Sequence, residues 1–355
     1  MNSVESPQTV TQPHLRDLLR SRVLVCDGAM GTMLHAAGVA LDLSPQGLNL
    51  SRGDLVKAIH TAYINAGADV VQTNTFGATR FRLAQYGLED RVAEINLAGA
   101  ALARAAAEAA RHPVLIAGSV SPVTPSNQRT RLLAGEVRSA FRDQIAALVE
   151  GGVDLIIFET FGNLDELVPA ISVAREIAPA LPLVAQLTFL DDGRTIAGQT
   201  PAEIVSRLEK FDLAALGANC TLGPQGILEV LQQLSKLSDL PLAAQPNAGS
   251  PNYVDGQIQY GADPAYFSRY TRRFAETGAA LVGGCCGTTP RHIQAVAEVV
   301  GGFRPVHRAP TSRPETIATG GQPAQPAQSP MLSRLQQGKF ISIAELAPSV
   351  GGATD

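Results

Sequence analysis

Eight short apolar runs punctuate the chain, and each is followed by a longer stretch of helical period. The runs are 23–26, 69–72, 114–117, 154–158, 183–187, 214–217, 242–244 and 279–282. Most are apolar at consecutive positions, the pattern of strands buried on both faces of a parallel sheet. Segments 54–66, 90–111, 135–150, 164–177, 201–211, 224–237, 264–277 and 290–299 repeat apolar residues at helical spacing. Several open with Pro, where a missing N–H is harmless, and several end before Gly67, Gly151–Gly152 or Gly278. Eight strand–helix pairs predict a closed (β/α)8 TIM barrel. The competing architecture, an open doubly wound sheet, carries fewer strands and often a Gly-rich first turn. The count of eight favours closure.

The chain is 355 residues long, with 28 Lys plus Arg against 32 Asp plus Glu and a formal charge of −4. No basic excess points to nucleic acid or an anionic membrane. A composition 45% hydrophobic and 17% charged excludes wholesale disorder. No apolar run approaches the ~18 residues of a membrane span. Residues 1–14 read as a flexible leader without the apolar stretch of a secretory signal. Four cysteines make no disulfide scaffold, so the expected location is cytoplasmic. Residues 15–302 are assigned to the barrel. Residues 303–330 hold six prolines and read as a linker. A short helix and the strand FISIAEL follow; a lone strand cannot satisfy its backbone, so 331–355 is read as the truncated start of a second domain.

A barrel carries its active site where the strands end. The residues that follow the runs are DGAMGT from Asp27, QTNTF from Gln72, GSV from Gly118, ETF from Glu159, QLTF from Gln186, GANC ending at Cys220, QPNAG from Gln245 and GGCCG from Gly283. Three of the four cysteines, Cys220, Cys285 and Cys286, therefore converge on one rim. Three thiolates with no fourth strong ligand make a zinc site with an open position. Adjacent Cys285 and Cys286 cannot both reach one metal in extended geometry, but Gly283, Gly284 and Gly287 allow an irregular turn. A vicinal disulfide and two incidental buried thiols are the alternatives. A zinc–thiolate centre suits attack by a bound sulfur better than hydrolysis, so alkyl transfer to a thiol is expected.

Asp27 and Glu159 put two carboxylates on the same rim. Either they hold the ammonium of an amino acid, or Asp27 caps the next turn and Glu159 pairs with an arginine. The amides of Gly28 and Ala29 could hold a carboxylate where the chain turns. Asn74, Asn219 and Asn247 either contact substrate or metal or make loop hydrogen bonds. Cys26 reads as a core thiol. His60, His112 and His292 show no ligand spacing and read as surface residues.

In that order, DGAMGT, QTNTF, ETF, GANC and GGCCG resemble the zinc-dependent homocysteine S-methyltransferases. That family includes the homocysteine-binding domain of cobalamin-dependent methionine synthase and betaine–homocysteine methyltransferase. The resemblance spans about residues 15–302. It implies zinc on Cys220, Cys285 and Cys286, with the zinc-held thiolate of L-homocysteine as nucleophile and L-methionine as product. It also implies the substrate amino group on Asp27 and Glu159 and its carboxylate on the amides of Gly28 and Ala29. Asn247, in PNAG, matches a residue near the metal that fills the fourth position without substrate. The tail FISIAELAPSVGG resembles the opening strand of methylenetetrahydrofolate reductase, with Glu345 matching an acidic site residue and Ala347-Pro348 standing where that family usually has two prolines. The whole then resembles a bifunctional methyltransferase–reductase, with the covalently linked reductase domain as partner. A cobalamin module needs Asp-x-His-x-x-Gly; His35 and Gly38 fit, but Met33 stands at the Asp position, so cobalamin binding is rejected. The rivals are a non-catalytic zinc or homocysteine-sensing domain, and transfer to a related thiol or selenol. The methyl donor, a methylfolate, a methylsulfonium or a partner's methylcobalamin, is left open.

Overall fold

The structure is a computed structural model that describes residues 15–123, 132–254, 257–306, 311 and 337; within 252–259 only the backbone is described. The chain divides into two units, Met1–Pro314 and Glu315–Asp355. The leader 1–14 and the tail expected to begin a second domain, including Glu345, lie outside the described residues, apart from Gln337.

Eight parallel strands form the first unit: β1 (Leu24–Val25), β2 (Val70–Gln72), β3 (Leu115–Val120), β4 (Leu155–Phe161), β5 (Leu183–Leu187), β6 (Ala215–Asn219), β7 (Leu242–Gln245) and, after a hairpin of β8 (Pro251–Val254) and β9 (Gln257–Tyr260), β10 (Ala279–Val282). The sheet order is β1-β10-β7-β6-β5-β4-β3-β2. A parallel bridge between Cys26 and Val70 joins its two ends, with Asp27 N–H donating to the Val70 carbonyl at 3.0 Å. The (β/α)8 barrel expected from the eight runs is the fold.

The unbroken apolar runs have a direct reason. Successive strand residues face opposite sides, and here both sides are buried. Val25, Val71, Ile116, Ile156, Leu183, Leu216 and Val282 pack outward into the main core with the helices. Leu24, Cys26, Val70, Leu115, Ala117, Leu155, Ile157, Val184, Ala215, Ala243 and Leu281 form a separate inner cluster. The helix Leu15–Ser21 buries Leu15 and Leu19 against that inner cluster. One layer further along the same inward positions the residues turn polar: Gln72, Ser119, Glu159, Gln186, Asn219 and Gln245.

The helices start where their sequence says. Thr200 and Glu203 cap each other around Pro201, and Asp263 accepts from Tyr266 N–H at 2.6 Å ahead of Pro264. Gly278, at φ +97°, ends the helix Pro264–Thr277 in the left-handed conformation.

The structure departs from the reading in three places. The hairpin β8–β9 was not anticipated; its pairing, Pro251 opposite Tyr260 through Val254 opposite Gln257, interrupts the β7 connection. Strands β3 and β4 run on to Val120 and Phe161, so Ser119 and Glu159 sit on strands, not loops. The histidines are not surface residues: His60 is fully buried in the helix Gly53–Asn65 and His292 is 7% exposed. His112 is half-buried beside the Ala68 carbonyl. Among the described residues, no helix is long and apolar enough to cross a membrane.

Candidate active site

The three rim cysteines meet. Their Sγ atoms all lie within 4.8 Å of one another, and Cys220 Sγ is 3.8 Å from Cys286 Sγ. With Zn–S bonds of about 2.3 Å, a tetrahedron has S···S edges of about 3.8 Å, so the spacing fits one metal ion. No other cluster of this kind occurs among the described residues.

The backbone bends to bring them there. Cys220 and Thr221, just past β6, both adopt left-handed conformations at φ +59° and +57°. A non-glycine residue is strained there by about 1 kcal/mol or more. Cys220 N–H on the Gln245 carbonyl (3.1 Å) and Leu222 N–H on the Cys220 carbonyl (2.6 Å) hold the turn. After β10, Gly284 N–H donates to Asp27 O, Cys285 N–H to Pro246 O, and Ala248 N–H to Cys286 O. The chain has left strand geometry, and the adjacent thiols face one point. At Gly287 (φ +78°) a Cβ would lie 2.1 Å from Cγ of Tyr260. That ring therefore rests on the turn beside Cys286, and burial, then the charge on Cys286, raises the Tyr260 hydroxyl's pKa.

Contact among the thiols favours ionisation at Cys286. Hydrogen bonds from Cys220 and Cys285 pull Cys286 down to about 3. Contact with Cys285 favours ionisation of Cys220, but donation to Cys286 and burial outweigh it and leave Cys220 at about 12. Hydrogen bonds to both neighbours, then burial, push Cys285 well up. Three thiolates this close need a cation, and an all-sulfur donor set fits zinc.

The carboxylates occupy the polar layer beside the thiols. Asp27 is 3% exposed, and its Oδ2 accepts from Gln72 N–H at 2.9 Å. Glu159 Oε1 accepts from Gln72 Nε2 at 2.7 Å and from the Ser119 hydroxyl. Burial raises Asp27 well above its ordinary range. It lifts Glu159 to about 7 against the Ser119 hydrogen bond. Neither appears in any ion pair of the described residues. Nor does Asp27 cap the helix Gly31–Ala36, whose N-cap, Met30, receives no side-chain bond. Both structural alternatives for these carboxylates are thus absent among the described residues. What remains is a buried and a half-buried acid, each without a cationic partner among the described residues.

Asn219 joins the two halves. Its Oδ1 accepts from Thr160 N–H at 2.7 Å, fixing Thr160 at φ +60°. Its Nδ2 donates to Thr160 Oγ1 at 2.9 Å and reaches Glu159 Oε2 at 3.4 Å and Cys285 Sγ at 3.9 Å. Asn247 is 4% exposed, and its Oδ1 is buried without a partner among the described residues. Asn74 is held differently: its Nδ2 donates to Pro45 O and Asn49 Oδ1, binding the second strand-end loop to the helix Leu48–Ser51. Ala29 N–H donates to Thr288 Oγ1 at 3.1 Å. Gly28 lies under the same hydroxyl, where a Cβ would be 2.6 Å away. Cys26 is fully buried outside the thiol cluster, 3.6 Å from Asp27 Oδ1.

Sequence reasoning missed Gln72, Gln186 and Gln245 as site residues. The signal was present: each is a glutamine at or near the end of an apolar run, in VVQ, VAQL and LAAQ, at the inward parity. Tyr260 and Thr288 gave no comparable signal, because the hairpin and the turn that place them were not legible.

Fold and site together define a (β/α)8-barrel enzyme. Its family follows from sequence: the profile described as homocysteine S-methyltransferase matches residues 24–300, and the chain belongs to that family. Methionine synthase of Mycobacterium tuberculosis is 33% identical over 314 residues, 84% of this chain and 26% of that protein. Methionine synthase of Mycobacterium leprae is 33% identical over 300 residues, 81% of this chain and 25% of that protein. The chain thus spans about a quarter of the length of these curated relatives. The metallated form of the homocysteine methyltransferase MmuM from Escherichia coli superposes with TM-score 0.69 at 28% identity, covering 80% of this chain and 99% of that one. Its oxidized form gives 0.68 at 27% identity, over 78% and 95%. A methyltransferase from Methanosarcina mazei, TM-score 0.51 at 14% identity over 82% and 99%, shares the fold.

Proposed function

We propose that this chain transfers a methyl group to the thiol of L-homocysteine, giving L-methionine, with zinc held by Cys220, Cys285 and Cys286. One observation carries the reading: three thiols at the spacing of a zinc tetrahedron stand beside two carboxylates, the buried Asp27 and the half-buried Glu159, that have no ion-pair partner among the described residues. Homocysteine has the complementary pair of groups, a thiol and an ammonium two carbons further on.

Zinc supplies the positive charge that keeps a substrate thiol deprotonated near neutral pH. The protein's own groups do the rest. Glu159 and Asp27 receive the ammonium, which offsets their desolvation. The turn at Gly28 and Ala29 receives the substrate carboxylate, Ala29 N–H exchanging its bond to Thr288. The unpartnered Asn247 Oδ1 would be available to the zinc as a weak oxygen donor beside the three thiols. No protein base is needed at the sulfur, and no covalent enzyme intermediate forms: the sulfur attacks the donor's methyl carbon in line as the bond to its former carrier breaks. Residues 303–330 are proposed as a linker and 331–355 as the start of a linked reductase-like domain, with a cytoplasmic location for the whole.

The test is turnover of the zinc-loaded chain with homocysteine and, in turn, a methylfolate, S-methylmethionine, S-adenosylmethionine and methylcobalamin. Methionine from one of them is expected. Zinc and homocysteine binding with no methionine from any donor would favour a sensing domain and overturn the transferase reading.

A further inference from the structure

Four side chains cross the barrel in a single line of hydrogen bonds. Gln186 Nε2 (β5) donates to Gln245 Oε1 (β7) at 2.7 Å. Gln245 Nε2 donates to Gln72 Oε1 (β2) at 2.6 Å. Gln72 Nε2 donates to Glu159 Oε1 (β4) at 2.7 Å. Gln186 is fully buried and Gln245 is 2% exposed.

The line has a direction, and the groups at its far end fix it. A carboxylate oxygen and a backbone carbonyl only accept. Glu159 Oε1 therefore requires the amide nitrogen of Gln72, which turns Gln72 Oε1 toward Gln245. The Gly284 carbonyl, 3.4 Å from Gln245 Nε2, requires the nitrogen of Gln245 on the same side. The Cys26 thiol, 3.5 Å from Gln72 Oε1, donates in agreement. Reversing any one amide would set oxygen against oxygen in a buried layer, which is costly. The remaining imbalance sits at the far end, where Gln186 Oε1 is buried without a donor among the described residues.

Glycines let the strands that carry the line approach closely. At Gly217 of β6, opposite Gln186 in register, a Cβ would lie 1.9 Å from the Ala243 carbonyl of β7. At Gly283, past β10, a Cβ would lie 2.7 Å from Asp27 O.

We infer that Gln72, Gln245 and Gln186 are positioning residues for Glu159. Gln72, held in turn by Gln245 and Gln186, engages Oε1 together with Ser119 and leaves Oε2 facing Asn219, as the acceptor for the substrate's ammonium. Gln245 also ties this orientation to the metal-bearing turn through Gly284. The inference rests on the proposed homocysteine reading and deepens it, since it assigns amine recognition to residues that do not touch the amine.

The experiment compares binding of homocysteine with that of 4-sulfanylbutanoate, which lacks only the amino group, to the zinc-loaded protein. Gln72→Met, Gln245→Met and Gln186→Met keep volume and remove the amides. The preference for homocysteine should fall by a few tens of fold, about tenfold and about threefold in that order, as expected for hydrogen bonds at increasing remove from a charge. Binding of 4-sulfanylbutanoate and zinc content should stay at the wild-type level. Should Gln245→Met fail to fold, Gln186→Met carries the test alone. An unchanged preference in the folded variants, or equal losses for both thiols, overturns the relay. A wild-type protein with no preference for homocysteine overturns the functional reading itself.

Discussion

The thiol side and the acid side of the rim are held in different ways: the thiols chiefly by one another, the carboxylates by hydrogen-bond donors of the barrel. The thiols are half-buried and stand on irregular backbone: two consecutive left-handed residues at Cys220 and Thr221, and a glycine-flanked turn at Cys285 and Cys286. Asp27 is buried directly after β1 and Glu159 is half-buried in β4, where the pairing with β5 shifts register beside the left-handed Thr160, and backbone or amide donors fix both. A metal can draw flexible ligands together, because its bonds are strong enough to organise the loop that carries them. An ammonium cannot, so its acceptors must already be in place. The difference teaches which half depends on its ligand for order.

Removing one thiol should give the largest effect. Cys286→Ala is expected to lower zinc affinity by about a thousandfold or more, since the two remaining thiolates bind far more weakly. Full zinc in that variant, by metal analysis, would break the assignment of the thiol side. Next comes the acid side. Glu159→Gln should weaken homocysteine binding by about 1.5–3 kcal/mol while zinc content stays unchanged. A parallel loss of zinc would show that the two halves are one unit.

The pH dependence sharpens the contrast. With Glu159 near 7, the free protein holds it neutral below that pH and charged above it. The preference for homocysteine over its deaminated analogue should hold above pH 7 and fall by about tenfold per unit below it. A flat ratio between pH 6 and 8 would refute the placement of the ammonium on Glu159. Linkage gives folding the opposite slope. A carboxyl raised from 4.5 to about 7 stabilises the ligand-free chain fully below 4.5, and that contribution is lost as pH rises through 7. The smallest effect belongs to the tail. A chain ending at Arg304 should keep its zinc and homocysteine affinities, because every site residue lies between Asp27 and Thr288; a large loss would place a missing part of the site beyond Arg304.

The barrel was legible because its strands are buried on both faces, which leaves unbroken apolar runs that a half-exposed strand would not show. β1 was found although only Leu24 and Val25 are strand, since Val23 and Cys26 continue the burial. Cys220, Cys285 and Cys286 were legible because cysteine is rare here and its positions relative to the strands are countable. The hairpin β8–β9 was not: PNYV and QIQY are too short and polar to separate from loop. The glutamine line was not legible either, because which residues meet across a barrel depends on how its strands are staggered around the ring. His60 misled for a similar reason. A histidine in an amphipathic helix looks like a surface residue until the neighbouring helices cover it.

The closing seam of the barrel has a consequence for how the protein is made. Leu24 of the first strand pairs with Leu281 of the last, so the ring cannot shut until nearly the whole barrel sequence has left the ribosome. Synthesis proceeds at about 5–20 residues per second, and contacts so distant in sequence form late. Two of the three thiols lie just beyond that last strand, while Cys220 emerges well before them. Until residues 285 and 286 emerge, a nascent chain carries only Cys26 and Cys220 beside unpaired strand edges, and the three-thiol cluster is incomplete.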